Sequence, residues 1–208
     1  MTVCEAATCA ALHHPMPPTV LLHNEATDRH PAAVTVDNRA AAILLVAHLV
    51  SLGHHRILFV SGEFKASDRA ARRHLGYREA MATAGLAPLE PVEVSFIDDY
   101  AMLDLTGALA EHRPTAIVAS NDLLALGVIH ALRSHGVVVP DDISVAGFDG
   151  MSIGRMMSPT LSTIDMPSAA MGAVAASLLL DMLDNAARSR AMQLDFQLYP
   201  GGTVRDIS

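Results

Sequence analysis

Tryptophan is missing from this 208-residue chain, and aromatic residues of all kinds come to 4%. Its core must therefore be assembled from Ala, Val, Leu, Ile and Met. Basic charge is also short: 14 Lys and Arg stand against 22 Asp and Glu, a formal net charge of −8. That argues against this chain by itself gripping a phosphate backbone, which takes clustered cations. Only two cysteines occur, Cys4 and Cys9, too few for a disulfide framework, so a reducing cytoplasm is the expected setting. The longest uncharged run near the end, residues 166–180, is 15 residues, where about 20 are needed to span a bilayer. The N-terminus offers Glu5 and no basic residue ahead of an apolar core, so no secretory signal is expected.

What is present is a globular composition, 51% hydrophobic and 17% charged. A chain of this length buries about 70% of its unfolded surface. From residue 34 onward, short β-rich runs alternate with helical ones. Residues 34–36 form the first run, and Asp37 or Asn38 can cap the helix that follows. That helix runs to Leu52, with Ile43, Val46, Ala47 and Val50 at i, i+3, i+4 and i+7, and Gly53 closes it. Strands are expected at 57–60, 92–97, 115–119, 143–148, 161–164 and about 194–198. The helices expected between them lie at 68–84 (burying Tyr77, Ala80, Met81 and Ala84), 102–112, from Asn121 or Asp122 to Gly136, and from Pro167 to about residue 185. Strands joined by long helices imply crossover connections, parallel pairing and a doubly wound α/β fold. In residues 1–33, the stretch 19–22 reads as one strand, Leu12 as a helix end, and 13–18 as a loop.

In a parallel sheet, ligands bind beyond the carboxyl ends of the strands. Those ends are followed by Ser61-Gly62 and a basic helix start with Arg69, Arg72 and Arg73; by Asp98, Asp99 and Tyr100; by Ser120, Asn121 and Asp122; and by Asp149. An aromatic face, a guanidinium, an amide and a carboxylate lining one crevice suit a polyhydroxylated or heterocyclic small molecule. Each residue also has a plainer use. Asn121 and Asp149 are what a helix cap or turn selects, Arg73 is also a solvated helix charge, and Tyr100 is also half-buried packing.

Several segments together resemble the lactose-repressor (LacI/GalR) family of bacterial transcription regulators. They are Val36-Asp37-Asn38, Leu52-Gly53-His54 leading into Arg56-Ile57-Leu58-Phe59-Val60, Arg73-His74-Leu75-Gly76-Tyr77-Arg78, and Asn121-Asp122-Leu123-Leu124-Ala125-Leu126-Gly127. The run Val139-Pro140-Asp141-Asp142-Ile143-Ser144-Val145-Ala146-Gly147-Phe148-Asp149 and the stretch Pro159-Thr160-Leu161-Ser162-Thr163-Ile164 continue the match, which is collinear over about residues 19–208. The resemblance implies an effector-binding core of two α/β lobes, of the periplasmic-binding-protein-like type I, with the effector between them. It implies residues 1–33 as a remnant of the N-terminal lobe, 34–160 as the C-terminal lobe, 161–195 as a return to the N-terminal lobe, and 196–208 as a final strand and tail. By position, Arg73 matches the arginine that holds effector hydroxyls or a carboxylate, Tyr100 the stacking aromatic, Asn121 the polar contact and Asp149 the acceptor carboxylate. His23, after the 19–22 strand, falls where the first lobe offers a polar contact. Met166 and Ser168 depart from the polar and aromatic pocket residues some members carry at the hinge.

The family's helix-turn-helix has no counterpart in residues 1–33, so an N-terminally truncated chain is expected. Its first lobe would be incomplete, with apolar surface exposed, and operator DNA would be met only through a segment it lacks. The implied function is a cytoplasmic homodimer whose effector shifts the angle between lobes and so the spacing of DNA-binding heads. Asn121 with Asp149 favours a sugar over a purine, since a base would want more than one aromatic in the crevice. A solute-binding protein of a transport system shares the fold, but the Asn-Asp and Pro-Asp-Asp segments match the regulators better. Gly150-Met151-Ser152-Ile153-Gly154 fits a hydrolase nucleophile elbow, yet Pro159 cuts short the helix it needs and no His follows His135. His13-His14 and His54-His55 are adjacent pairs that do not present two ligands as i, i+4 spacing would, and Cys4 and Cys9 lack CxxC spacing, so neither a metal nor a cofactor is expected.

Overall fold

The computed structural model describes residues 17–95, 100–184 and 190–208. Cys4, Cys9, His13, His14, the helix end at Leu12 and the pair Asp98-Asp99 lie outside those residues.

Six strands build the larger sheet: β3 (Ile57–Gly62), β4 (Val92–Val94), β5 (Ala116–Ala119), β6 (Ser144–Asp149), β7 (Ser162–Asp165) and β9 (Gln197–Tyr199), in the order β4-β3-β5-β6-β7-β9. All neighbours pair in parallel except β7 with β9. Its central strands are mostly apolar and buried at nearly every position because both faces are covered. Ile57 and Phe59 of β3 point into one core cluster with α1 (Asn38–Ser51) and α2 (Asp68–Thr83), while Leu58 and Val60 point into another with α4 (Asp122–Ser134). α3 (Thr106–His112) lies on the α4 side through Leu109. The doubly wound class expected from the alternation is therefore the one observed.

A smaller sheet of three parallel strands, β1 (Leu21–Leu22), β2 (Ala33–Thr35) and β8 (Ala191–Gln193), carries α6 (Ser168–Leu183). Only Met171 and Leu178 of that helix are fully buried. Leu22, Leu180 and Leu183 are exposed here, so apolar surface does show on this lobe.

Several boundaries move. The strand expected at 161–164 for the return to the first lobe is β7, and it pairs with β6 in the larger sheet. The strand at the start of the 34–160 stretch is β2, which belongs to the smaller sheet. The single strand expected near 194–198 is two short ones, β8 and β9, each in a different sheet. Short strands of mixed polarity carry no mark of which sheet they will join; the crossovers decide. Of the expected stripe Ile43, Val46, Ala47 and Val50, α1 buries Val46 alone and adds Ala41, Ala42, Leu45 and Leu49, because a helix apolar on nearly every side leaves its periodicity degenerate. Pro167 stands one residue ahead of α6, and the helix expected over 102–112 begins only at Thr106, with a 3₁₀ turn (Tyr100–Met102) before it. Gly76 lets α1 and α2 meet closely: a Cβ there would lie 2.2 Å from the Arg39 carbonyl oxygen.

Candidate functional site

Asp37, not Asn38, caps α1, its carboxylate accepting from the Ala40 N–H at 2.9 Å. Asn38 is thereby free to turn inward, and its Oδ1 accepts from Arg73 Nε at 2.8 Å. Arg73 is only 4% exposed. Its other nitrogens donate to the Ser120 carbonyl at the end of β5 and to Asp149 Oδ1 at 3.2 Å, and its guanidinium lies over the Phe148 ring at 4.6 Å. Burial pulls the Arg73 pKa down and the Asp149 carboxylate opposes that shift. A buried guanidinium survives when its charge is paired and its donors are filled. One basic residue so joins three strand ends: Asn38 beyond β2, Ser120 beyond β5 and Asp149 on β6.

Asp149 sits at φ +109, and Gly150 follows at φ +68. Two left-handed residues in succession reverse the chain and bring the Asp149 carboxylate to Arg73. The same turn opens a cavity of about 620 Å³ lined by Asp149, Met151 and Ser152 on one side and by Met166, Ser168 and Ala170 on the other. That volume lies within the range of small-molecule sites. Its wall is mostly apolar, with a carboxylate and two serines as polar groups.

The expected site residues separate in space. Asp149 lines the cavity, and Arg73 stands behind it. Asn121 serves as the cap of α4, its Oδ1 accepting from the Leu124 N–H at 2.8 Å, which is the plainer of its two uses. Its side chain also hydrogen-bonds to Tyr100. Tyr100 is half-buried, and burial raises its pKa with the Asn121 contact opposing. It packs on Gly127, where a Cβ would come within 2.8 Å of the Tyr100 carbonyl oxygen. Neither Tyr100 nor Asn121 lines the cavity. His23 follows β1 at φ +67, its N–H donating to the Val34 carbonyl at 2.9 Å. Burial lowers its pKa first; nearby Arg69 adds to the shift, and Asp149 opposes it. It thus faces the same charges as Arg73. Its neighbours reach across as well: Asn24 Nδ2 donates to Asp68 at 3.4 Å, and Glu25 pairs with Arg72. Met166 and Ser168, expected as departures at the hinge, line the cavity opposite Asp149.

Asp122, expected as a strand-end polar residue or a helix cap, is neither cap nor cavity lining. It is fully buried. Its Oδ1 accepts from the Thr163 hydroxyl at 2.6 Å and its Oδ2 from the Met151 N–H at 2.7 Å. Burial pushes its pKa up to about 6, with those two donors opposing. Nothing in a single sequence distinguishes this carboxylate from an ordinary first-turn Asp. Ser152, the serine of the elbow pattern, opens α5 (Ser152–Met156), a helix of five residues. His54 is buried between the Thr115 hydroxyl and the Arg205 carbonyl, both at 3.1 Å. Among the described residues no cluster of His, Cys, Asp and Glu could hold a metal ion, and no helix is long and apolar enough to cross a membrane.

The profile of the periplasmic binding protein-like domain matches residues 46–204. Catabolite control protein A of Priestia megaterium is 36% identical over 172 residues, 79% of this chain and 50% of that protein. The HTH-type transcriptional repressor PurR of Vibrio campbellii is 34% identical over 178 residues, 83% of this chain and 53% of that protein. The chain spans about half the length of these curated relatives. Among solved structures, a sugar-binding transcriptional regulator of the LacI family from Escherichia coli, complexed with phosphate, superposes with a TM-score of 0.79 at 28% identity, covering 91% of this chain and 69% of that one. A LacI family regulator from Enterococcus faecium with bound ribose gives 0.82 at 24% identity, covering 92% and 71%, a likeness of fold. With two α/β lobes, collinear segments and this profile, the chain belongs to the periplasmic binding protein-like domain family, in the form that LacI/GalR-type regulators carry.

Proposed function

We propose that this chain is the effector-sensing part of a LacI-type transcription regulator and that its effector is a small sugar bound beside Asp149. The observation that carries the reading is the Asp149 carboxylate, aimed by Arg73 at the mouth of a cavity of about 620 Å³. Asp149 meets Arg73 through Oδ1 at 3.2 Å, and its other carboxylate oxygen accepts from an effector hydroxyl. Sugars offer such hydroxyls on one edge and C–H faces on the other, and the apolar wall of Met151, Met166 and Ala170 takes the C–H face. His23 and Tyr100 form the outer contacts, engaged when the lobes close.

The regulator acts in the cytoplasm as a homodimer. Ile153 and Met156, three residues apart on α5 and both exposed, give it an apolar face for a second copy. Operator DNA is contacted by a segment other than this acidic one, and effector binding alters its affinity by shifting the angle between lobes.

Thermal unfolding against D-ribose, D-galactose, ribose 5-phosphate, inorganic phosphate and hypoxanthine tests the reading. An effector at about 100 times its Kd adds about 2.7 kcal/mol, which in a chain of this size is about 5–10 °C. The expected result is a shift with a sugar that disappears in Asp149→Ala. A shift with hypoxanthine alone, or one that survives Asp149→Ala, overturns it.

A further inference from the structure

Asp149 is held in a conformation it would not choose. A non-glycine residue at φ +109 carries backbone strain, which persists only where the surroundings over-determine it. The Arg73 contact alone is a single bond at 3.2 Å. The turn is fixed instead from behind, through the two residues that follow. The Met151 N–H donates to Asp122 Oδ2 at 2.7 Å, and the Gly150 N–H reaches Thr163 Oγ1 at 3.4 Å. Thr163 in turn donates to Asp122 Oδ1 at 2.6 Å. Both arms converge on one carboxylate. That carboxylate fits beneath β6 only because Gly147 has no side chain: a Cβ there would lie 2.5 Å from Asp122 Oδ1.

We propose that Asp122 is the positioning residue of the effector pocket, holding the Asp149–Met151 turn so that Asp149 faces Arg73 and the cavity. It is itself fully buried and acts through Met151 and Thr163. This rests on the pocket being the effector site, but the positioning itself is read without any effector. Its charge is not there for stability. A buried carboxylate with a pKa near 6, above its unfolded value, makes the fold less stable as pH rises between about 4 and 6. The charged groups that face it are Asp149 at the end of β6 and Arg73 on α2. The neutral Asp122→Asn isostere relieves that cost, yet an amide has one acceptor oxygen where the carboxylate offers two, so one arm of the clamp is lost.

The test is nitrogen-15 NMR of the full chain, as wild type, Asp122→Asn and Thr163→Val. In wild type the Met151 amide shift titrates near pH 6 with Asp122, and the Arg73 guanidinium protons exchange slowly. In Asp122→Asn at pH 7.5, Tm is equal or higher, the Met151 titration is gone, and Arg73 guanidinium exchange accelerates by about tenfold or more. Thr163→Val gives the same Arg73 change at smaller size. Wild-type Arg73 exchange in a folded Asp122→Asn overturns the proposal. So does a loss of Arg73 protection only in proportion to a fall in Tm, since that is a merely structural role. Failure of the sugar panel with this NMR result intact removes the effector reading and leaves the positioning standing.

Discussion

The two lobes are made of the same kinds of element and differ in how completely they are covered. β3, β5 and β6 are buried at nearly every position and have helices on both faces. β1 and β8 are two and three residues long, half-exposed, and lie at the edges of a three-stranded sheet. The larger lobe thus has the burial to be rigid, and it carries the cavity's carboxylate on the end of a central strand. The smaller lobe contributes α6, with Ser168 and Ala170, and meets the larger through an apolar cluster that joins Val34 of β2 and Met171 of α6 to α1 and α2, and through exposed polar contacts at Glu25–Arg72 and Asn24–Asp68. Exposed ion pairs of that kind contribute about 0–1 kcal/mol. A well-covered jaw beside a thinly covered one suits a binding cleft that changes its opening.

The comparison breaks most visibly at the cores. Phe59→Ala or Phe148→Ala, in the larger lobe, should cost about 3–5 kcal/mol in urea unfolding. Leu180→Ser on α6 should change stability by less than about 0.5 kcal/mol. Equal costs would mean that the lobes fold as one evenly packed unit.

Next comes Arg73→Ala, which strips three protein acceptors of their donor and should cost about 2–4 kcal/mol. Arg73→Lys should recover only part of that, since an ammonium cannot fill three divergent acceptors and lie flat on Phe148. Full recovery by lysine would reduce the residue to a point charge. Asn121→Ala should cost about 1 kcal/mol through the lost α4 cap, whether or not a sugar is present. A cost that appears only in the presence of a sugar would restore Asn121 as a direct ligand.

The smallest effect sharpens the comparison through pH. Burial lowers the pKa of His54, as it does those of His23 and His74. Because the folded value lies below the unfolded one near 6.5, the unfolded chain takes up protons first as pH falls. Stability is therefore full above pH 6.5 and lost below it, opposite in sign to Asp122. His54→Gln should flatten that acid limb in Tm measured between pH 7.5 and 5, and an unchanged slope would remove His54 from the account.

Sequence reading succeeds where one physical signal dominates. The runs around Phe59, Val118 and Ala146 are short, β-rich and mostly apolar, and they are the central parallel strands. Gly53 and Gly136, expected as helix ends, sit at φ +86 and +75. It fails where one residue type has two uses or where the third dimension decides. Asn121 reads as cap and as ligand, and the cap is what the geometry displays. Asp122 reads as a first-turn acid, and only the fold brings Thr163 and Met151 to it from 41 and 29 residues away. β7 and β2 read as strands, but their sheets follow from crossovers that no local pattern encodes. Of the five expected site residues, Arg73 and Asp149 meet because a basic helix start and a strand-end carboxylate face one crevice.

Native-state hydrogen exchange on the free chain tests the central claim most directly. The account predicts that amides of β3, β5 and β6 exchange only with global unfolding, while those of β1, β2 and β8 exchange through local opening at least about a hundredfold faster. Equal protection in both sheets would contradict it, because the smaller lobe would then be as fixed as the larger and the cleft could not be the moving part.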